Sequence, residues 1–126
     1  MTPGDTFLAR VANAHLAVVV AECKHGNVLF VRLTSDGPGK DQTCRLGRGD
    51  HPWITHDSVI HYGDAMRVPN ATLDLQLGRQ LDAQEPLSQD VLKRIAGGFA
   101  VSLYAKPVDA DFVAGNCRCT ASSSGR

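Results

Sequence analysis

The sequence carries no surplus charge. Thirteen Lys and Arg stand against thirteen Asp and Glu in 126 residues, with five His besides. That balance argues against indiscriminate attraction to nucleic acid over the whole surface, while leaving room for a local basic site. No apolar run approaches the roughly 20 residues of a membrane helix, so no spanning segment is expected. Met1-Thr2-Pro3-Gly4-Asp5 lacks the basic-then-apolar order of a signal segment, which predicts a cytoplasmic protein. Cysteine is scarce: Cys23, Cys44, Cys117 and Cys119 match no zinc-ribbon or finger spacing, and free thiols in a reducing compartment are the expectation. No internal repeat is found. The length suits one domain with a real core.

What is present reads first as strands. Thr6-Phe7-Leu8-Ala9-Arg10 is a short one. His15-Leu16-Ala17-Val18-Val19-Val20-Ala21 is continuously apolar and β-branched, which predicts burial on both faces. Lys24-His25-Gly26-Asn27 is a turn signal, and Val28 to Thr34 is β-rich again, so the two runs should pair as an antiparallel hairpin. Ser35 to Lys40 is a Gly/Pro loop. Ser58 to Tyr62 is a further strand candidate, and Ala65 to Val68 another. Leu73, Leu75 and Leu77 alternate, which favours a short strand within 70–83.

One helix is predicted, over about 88–104. Ser88 is a good N-cap, Leu87 and Leu92 form a hydrophobic staple, and Asp90 suits the first turn. Val91, Leu92, Ile95, Phe99 and Leu103 make its apolar stripe. Gly97-Gly98 weakens the helix intrinsically, so packing must hold it, and the glycines would allow close approach to a sheet. Pro107 is taken as its stop. The predicted organisation is a domain over 1–108 and a flexible tail over 109–126, Ser-rich from Cys117 onward.

Chemistry concentrates between Cys44 and Tyr62, which holds three histidines and the only tryptophan. Histidine titrates near neutrality and serves as acid or base. His51 and His56 are the candidate pair for phosphodiester cleavage, in which a base takes a ribose 2′-hydroxyl proton. Arg45 or Arg48 would steady the phosphorane, with Ser58 and Tyr62 orienting the substrate. The plainer alternative makes Gly49-Asp50-His51-Pro52 a turn and Trp53 and Ile54 core. Cys44, His51, His56 and His61 also offer metal-ligand chemistry, but at intervals matching no zinc pattern. Arg32 and Thr34 share one face of their strand, and a cation beside the Thr34-Ser35 hydroxyls suits phosphate contact. An ordinary solvated strand edge reads the same way.

The order of these features resembles the MazF/PemK-like toxins. The likeness lies in Gly4-Asp5-Thr6-Phe7, the apolar strand from His15 to Ala21, and Val28-Leu29-Phe30-Val31-Arg32-Leu33-Thr34-Ser35. A Gly/Pro loop follows, then a late strand pair and a helix of the form Leu-Ser-x-x-x-Leu-x-x-Ile, here Leu87 to Ile95. His15 stands where those toxins place an arginine, and Arg32 where a proline is usual. The resemblance implies a mainly β fold with one C-terminal helix, an SH3-like small β-barrel and a possible homodimer. It further implies metal-independent cleavage of single-stranded RNA without a cofactor, and a small antitoxin protein as partner. His15 would then carry a proton or bind substrate in place of arginine. The competing expectation is a non-catalytic SH3-like binding module that recognises a protein or nucleic acid through the Trp53 loop.

Overall fold

The two β-branched runs pair as predicted: β2 (Ala17–Glu22) and β3 (Asn27–Ser35) form an antiparallel hairpin. The structure is a computed structural model and describes residues 1–115; Cys117 and Cys119 lie outside the described residues. Both strands are buried on both faces. Leu16, Val18, Val20, Leu29, Val31 and Leu33 enter one apolar core, and Ala17, Val19, Val28 and Phe30 enter a second. The period of two explains the division, because alternate side chains leave a strand in opposite directions.

The other strands build outward from this hairpin. β1 (Thr6–Ala9) pairs with β2 and, on its far side, with β7 (Leu81–Gln84). The free edge of β3 is shared between two partners. β6 (Met66–Pro69) takes its first half, and β5 (Ser58–Ile60) takes Leu33 to Ser35, with β4 (Arg45–Leu46) beyond β5. The result is a seven-stranded antiparallel sheet ordered β4-β5-β3-β2-β1-β7, with β6 beside β3. Its end strands β4 and β7 do not pair with each other, so the sheet is open and the expected closed barrel is not formed. Helices, not closure, cover the two apolar faces.

Among the described residues, three α-helices stand where one was predicted. α1 (Asn70–Gln76) occupies the segment whose leucine alternation suggested a strand. Leu73 is buried in the second core while Leu75 is exposed. The local alternation was outweighed by tertiary ties at the helix start, where Asn70 donates its backbone N–H to Gly26 O at 2.7 Å and its side-chain amide to Met1 O at 2.7 Å. α2 (Gln89–Gly98) has the predicted cap, with Ser88 Oγ accepting from Val91 N–H at 3.3 Å. It stops at Gly98, short of residue 104, and Leu103 is 96% exposed and no part of the apolar stripe. α3 (Pro107–Val113) starts where a stop was predicted. Proline fits the first helical position as well as it ends a helix, since its missing N–H would be unpaired there anyway. Phe112 of α3 joins the first core, and Asp109 pairs with Arg67 Nε at 3.0 Å. Residues 109–115 therefore belong to the folded unit and are not tail.

Tyr62 departs from strand β5 into a short 3-10 turn, Tyr62–Asp64. Its ring is wholly buried against Phe99, edge to face at 4.8 Å, and its hydroxyl donates to Ile95 O at 2.7 Å. Burial pushes the phenol well above its ordinary range. Among the described residues no helix is long and apolar enough to cross a membrane.

Candidate functional site

The site lies along the last residues of β3. There the strand passes from β6 to β5, and alternation puts Arg32 and Thr34 outward with Leu33 in the core. Leu33 N–H bonds Leu16 O at 2.9 Å, which seats His15, just before β2, beside this strand end. His61 is brought in from the other side, its N–H bonding Arg32 O at 3.0 Å.

Two cavities open here. One, of about 230 Å³, is bordered by His15, Thr34, Ser35, Trp53, His56 and Ser58. The other, of about 340 Å³, is bordered by His15, Arg32, Thr34, Lys40, His61 and Asp64. They share His15, Leu33 and Thr34 and so form one groove. His15, His56 and His61 are all exposed in it. Ser35 Oγ lies 2.8 Å from His56 Nε2, and Lys40 Nζ donates to Thr34 Oγ1 at 3.0 Å. Arg32 is ion-paired with Asp64.

Seven of the residues singled out in the sequence thus meet: His15, Arg32, Thr34, Ser35, Trp53, His56 and Ser58. Four do not. Tyr62 is core. Arg45 is held by Asp36 at 3.0 Å and Asp57 at 3.8 Å, and Arg48 Nε donates to Thr55 O at 2.9 Å, so neither reaches the groove. His51 is 4% exposed. Its Nδ1 accepts from Trp53 N–H at 3.0 Å, which leaves the proton on Nε2 to be donated to Glu85 O at 2.6 Å. Both ring nitrogens are occupied, so His51 is a structural pin and not an acid or base. His51→Ala is expected to destabilise the fold by about 2 kcal/mol, because the buried ring and its bonds to Trp53 N–H and Glu85 O are lost together, although Glu85 O keeps the Thr6 hydroxyl at 2.6 Å. Denaturant unfolding checks this, and an unchanged midpoint would refute it.

The groove also holds two residues that were not assigned to it. Lys40 ends the Gly/Pro loop, and its contact depends on how that loop folds back. His61, offered by the sequence as a metal ligand, borders the charged cavity instead. Trp53 is 46% exposed and borders the groove, whereas its neighbour Ile54 is core as the plainer reading had it. Cys44 is a buried free thiol, pushed up by burial, which disfavours the thiolate that a metal requires. Among the described residues, no three His, Cys, Asp or Glu side chains converge as a ligand set. Cys23 is disulfide-bonded, which corrects the expectation of a free thiol there.

Asp41 braces the loop that carries Lys40. It accepts from the Thr43 hydroxyl at 2.6 Å and N–H at 3.0 Å, and from the Ser102 hydroxyl at 2.6 Å. Partial burial alone would raise its pKa, but these bonds outweigh that and hold it below the ordinary 3.8. A carboxylate depressed by folding contributes stability above its unfolded pKa and loses it as pH falls through the folded value. The Tm gap between wild type and Asp41→Ala is therefore expected to shrink from about pH 5 to about pH 2.5. A constant gap would show that the carboxylate charge is irrelevant.

Compared with known proteins, the chain is matched by no family model and by no curated sequence.

Proposed function

We propose that the chain is a toxin-like endoribonuclease that cleaves single-stranded RNA, without metal or cofactor, in the groove along the end of β3. The observation that carries this reading is the meeting of exposed histidines with Arg32, Lys40 and the Thr34 hydroxyl around connected cavities. RNA supplies its own nucleophile, so cleavage needs one proton taken and one given beside a stabilised phosphate. His15 and His61 border the cavity that holds both cations and form the acid–base pair in this reading, replacing the pair His51 and His56. One takes the 2′-hydroxyl proton as that oxygen attacks phosphorus. The other protonates the departing 5′-oxygen, leaving a 2′,3′-cyclic phosphate. Arg32 and Lys40 bind the phosphate, and Thr34 and Ser35 donate hydroxyl hydrogen bonds to it.

The likeness of Gly4-Asp5 and Thr34-Ser35 to the toxins supports the same reading. With it come a small neutralising antitoxin, a homodimer and a cytoplasmic setting. The Arg32–Asp64 ion pair favours a second reading. A cation already matched by a carboxylate suits a module that holds its partner without cutting it. The test is incubation of the purified chain with a long single-stranded RNA in excess EDTA. The ribonuclease reading expects fragments ending in cyclic phosphate. Intact RNA, or equal cutting by His15→Ala, would overturn it in favour of the binding module.

A further inference from the structure

The groove is chemically divided. The cavity beside Trp53 has no Lys, Arg, Asp or Glu in its wall, whereas its neighbour has Arg32, Lys40 and Asp64. His15 and Thr34 stand at the junction. We propose that the uncharged cavity is a nucleobase subsite in which Trp53 stacks on one base of the bound strand. This rests on the RNA reading and adds to it where the base of the bound nucleotide goes and what reads it.

Three observations carry the proposal. First, Trp53 is the only tryptophan and is 46% exposed. An indole left half in water beside a phosphate-binding surface suits base stacking, because every base has a π-face. Second, the backbone that carries the indole is held in place. Trp53 N–H is bonded to His51 Nδ1 at 3.0 Å, Ile54 N–H to His51 O at 2.9 Å, and Ile54 is buried. An aromatic whose backbone is already held loses less freedom when a ring stacks on it. This also gives His51 a purpose in the site it does not enter: it positions Trp53.

Third, size and polarity fit one ring system. The cavity of about 230 Å³ is smaller than the pockets of drug-sized ligands. Its wall includes Asn13, Ser35 and Thr55, which carry both donors and acceptors for the edge of a base. Asn13 sits in the left-handed backbone region, at φ 58°, so its loop is turned by that residue. A base here and its phosphate against Arg32 and Lys40 would place the sugar beside His15 and Thr34.

The sole tryptophan makes the test specific. The 126-residue chain is titrated with each of the four nucleoside monophosphates and with ribose 5-phosphate while tryptophan fluorescence is followed. Saturable quenching by one or more nucleotides, and none by ribose 5-phosphate, is the expected result. Equal quenching by ribose 5-phosphate, or none by any nucleotide, overturns the proposal. In parallel, a short single-stranded oligoribonucleotide is bound to wild type, Trp53→Ala and Trp53→Phe, with Kd read by anisotropy. Trp53→Ala is expected to weaken binding roughly tenfold or more, with Trp53→Phe restoring most of it. Equal Kd values for all three overturn the stacking role. The two readings fail separately. RNA cut by wild type with no nucleotide-dependent quenching removes the base subsite alone, and quenching with uncut RNA removes the ribonuclease alone.

Discussion

His15→Ala is expected to slow RNA cleavage by about 10²- to 10⁴-fold while leaving Tm almost unchanged. The size of the effect follows from position. His15 borders both cavities, so in the proposed ribonuclease it would stand beside the scissile group whichever way the strand runs. The absence of a stability effect follows from exposure, since His15 packs in neither core. His61→Ala is expected to match it, and the double variant to be little worse than either, because an acid and a base act as one unit. His56→Ala should cost less, since His56 borders the uncharged cavity and not the one holding both cations. Equal losses at His15, His56 and His61 would show that the charge division of the groove does not govern the chemistry.

Gly98→Ala is expected to destabilise the fold by about 3 kcal/mol, a fall in Tm on the order of 10 °C. A Cβ on Gly98 would lie 1.9 Å from Tyr62 Oη and 2.5 Å from Cζ. Those atoms are not the loose end of a flexible chain. The ring is wholly buried, its edge contacts Phe99, and its hydroxyl is tied to Ile95 O on the same helix. Either α2 lifts off the core or Tyr62 is driven out of it. The adjacent glycine gives the control. A Cβ on Gly97 meets nothing within 4 Å, so Gly97→Ala should stabilise by up to about 1 kcal/mol through helix propensity. Opposite signs at neighbouring glycines are the expected outcome of paired thermal melts. A tolerated Gly98→Ala would mean that the close approach is not required.

These two glycines also show where sequence reading stops. Their presence inside an amphipathic helix announced a close approach, but nothing local said which one makes it or against what. The same limit appears at Pro107, which fits equally as a stop and as a first helical residue. It appears again at the leucines from Leu73 to Leu77, whose alternation suited a strand until contacts from Met1 and Gly26 held Asn70 at a helix start. At Gly98 and at Asn70, residues 30 or more positions away decided the matter.

The groove divides in the same way. Arg32 and Thr34 were legible because strand alternation is a local rule, and both stand where that rule puts them; Ser35, the next residue, reaches the groove only because the strand ends there. His51 and His56 looked alike in sequence, both loop histidines near arginines. Only the fold separated them, by turning both ring nitrogens of His51 onto backbone partners and leaving His56 in the open.

The sequence by itself determined the hairpin, the burial of both its faces, the capped start of α2 and the absence of a basic field. Those follow from periods of two and 3.6, from capping chemistry and from composition, all of which act between near neighbours. The open sheet, the extra helices and the meeting of His15 and His61 at one cavity were decided only in three dimensions. They depend on which distant backbone groups complete each other's hydrogen bonds and which side chains fill the space between them, and no local pattern encodes that choice.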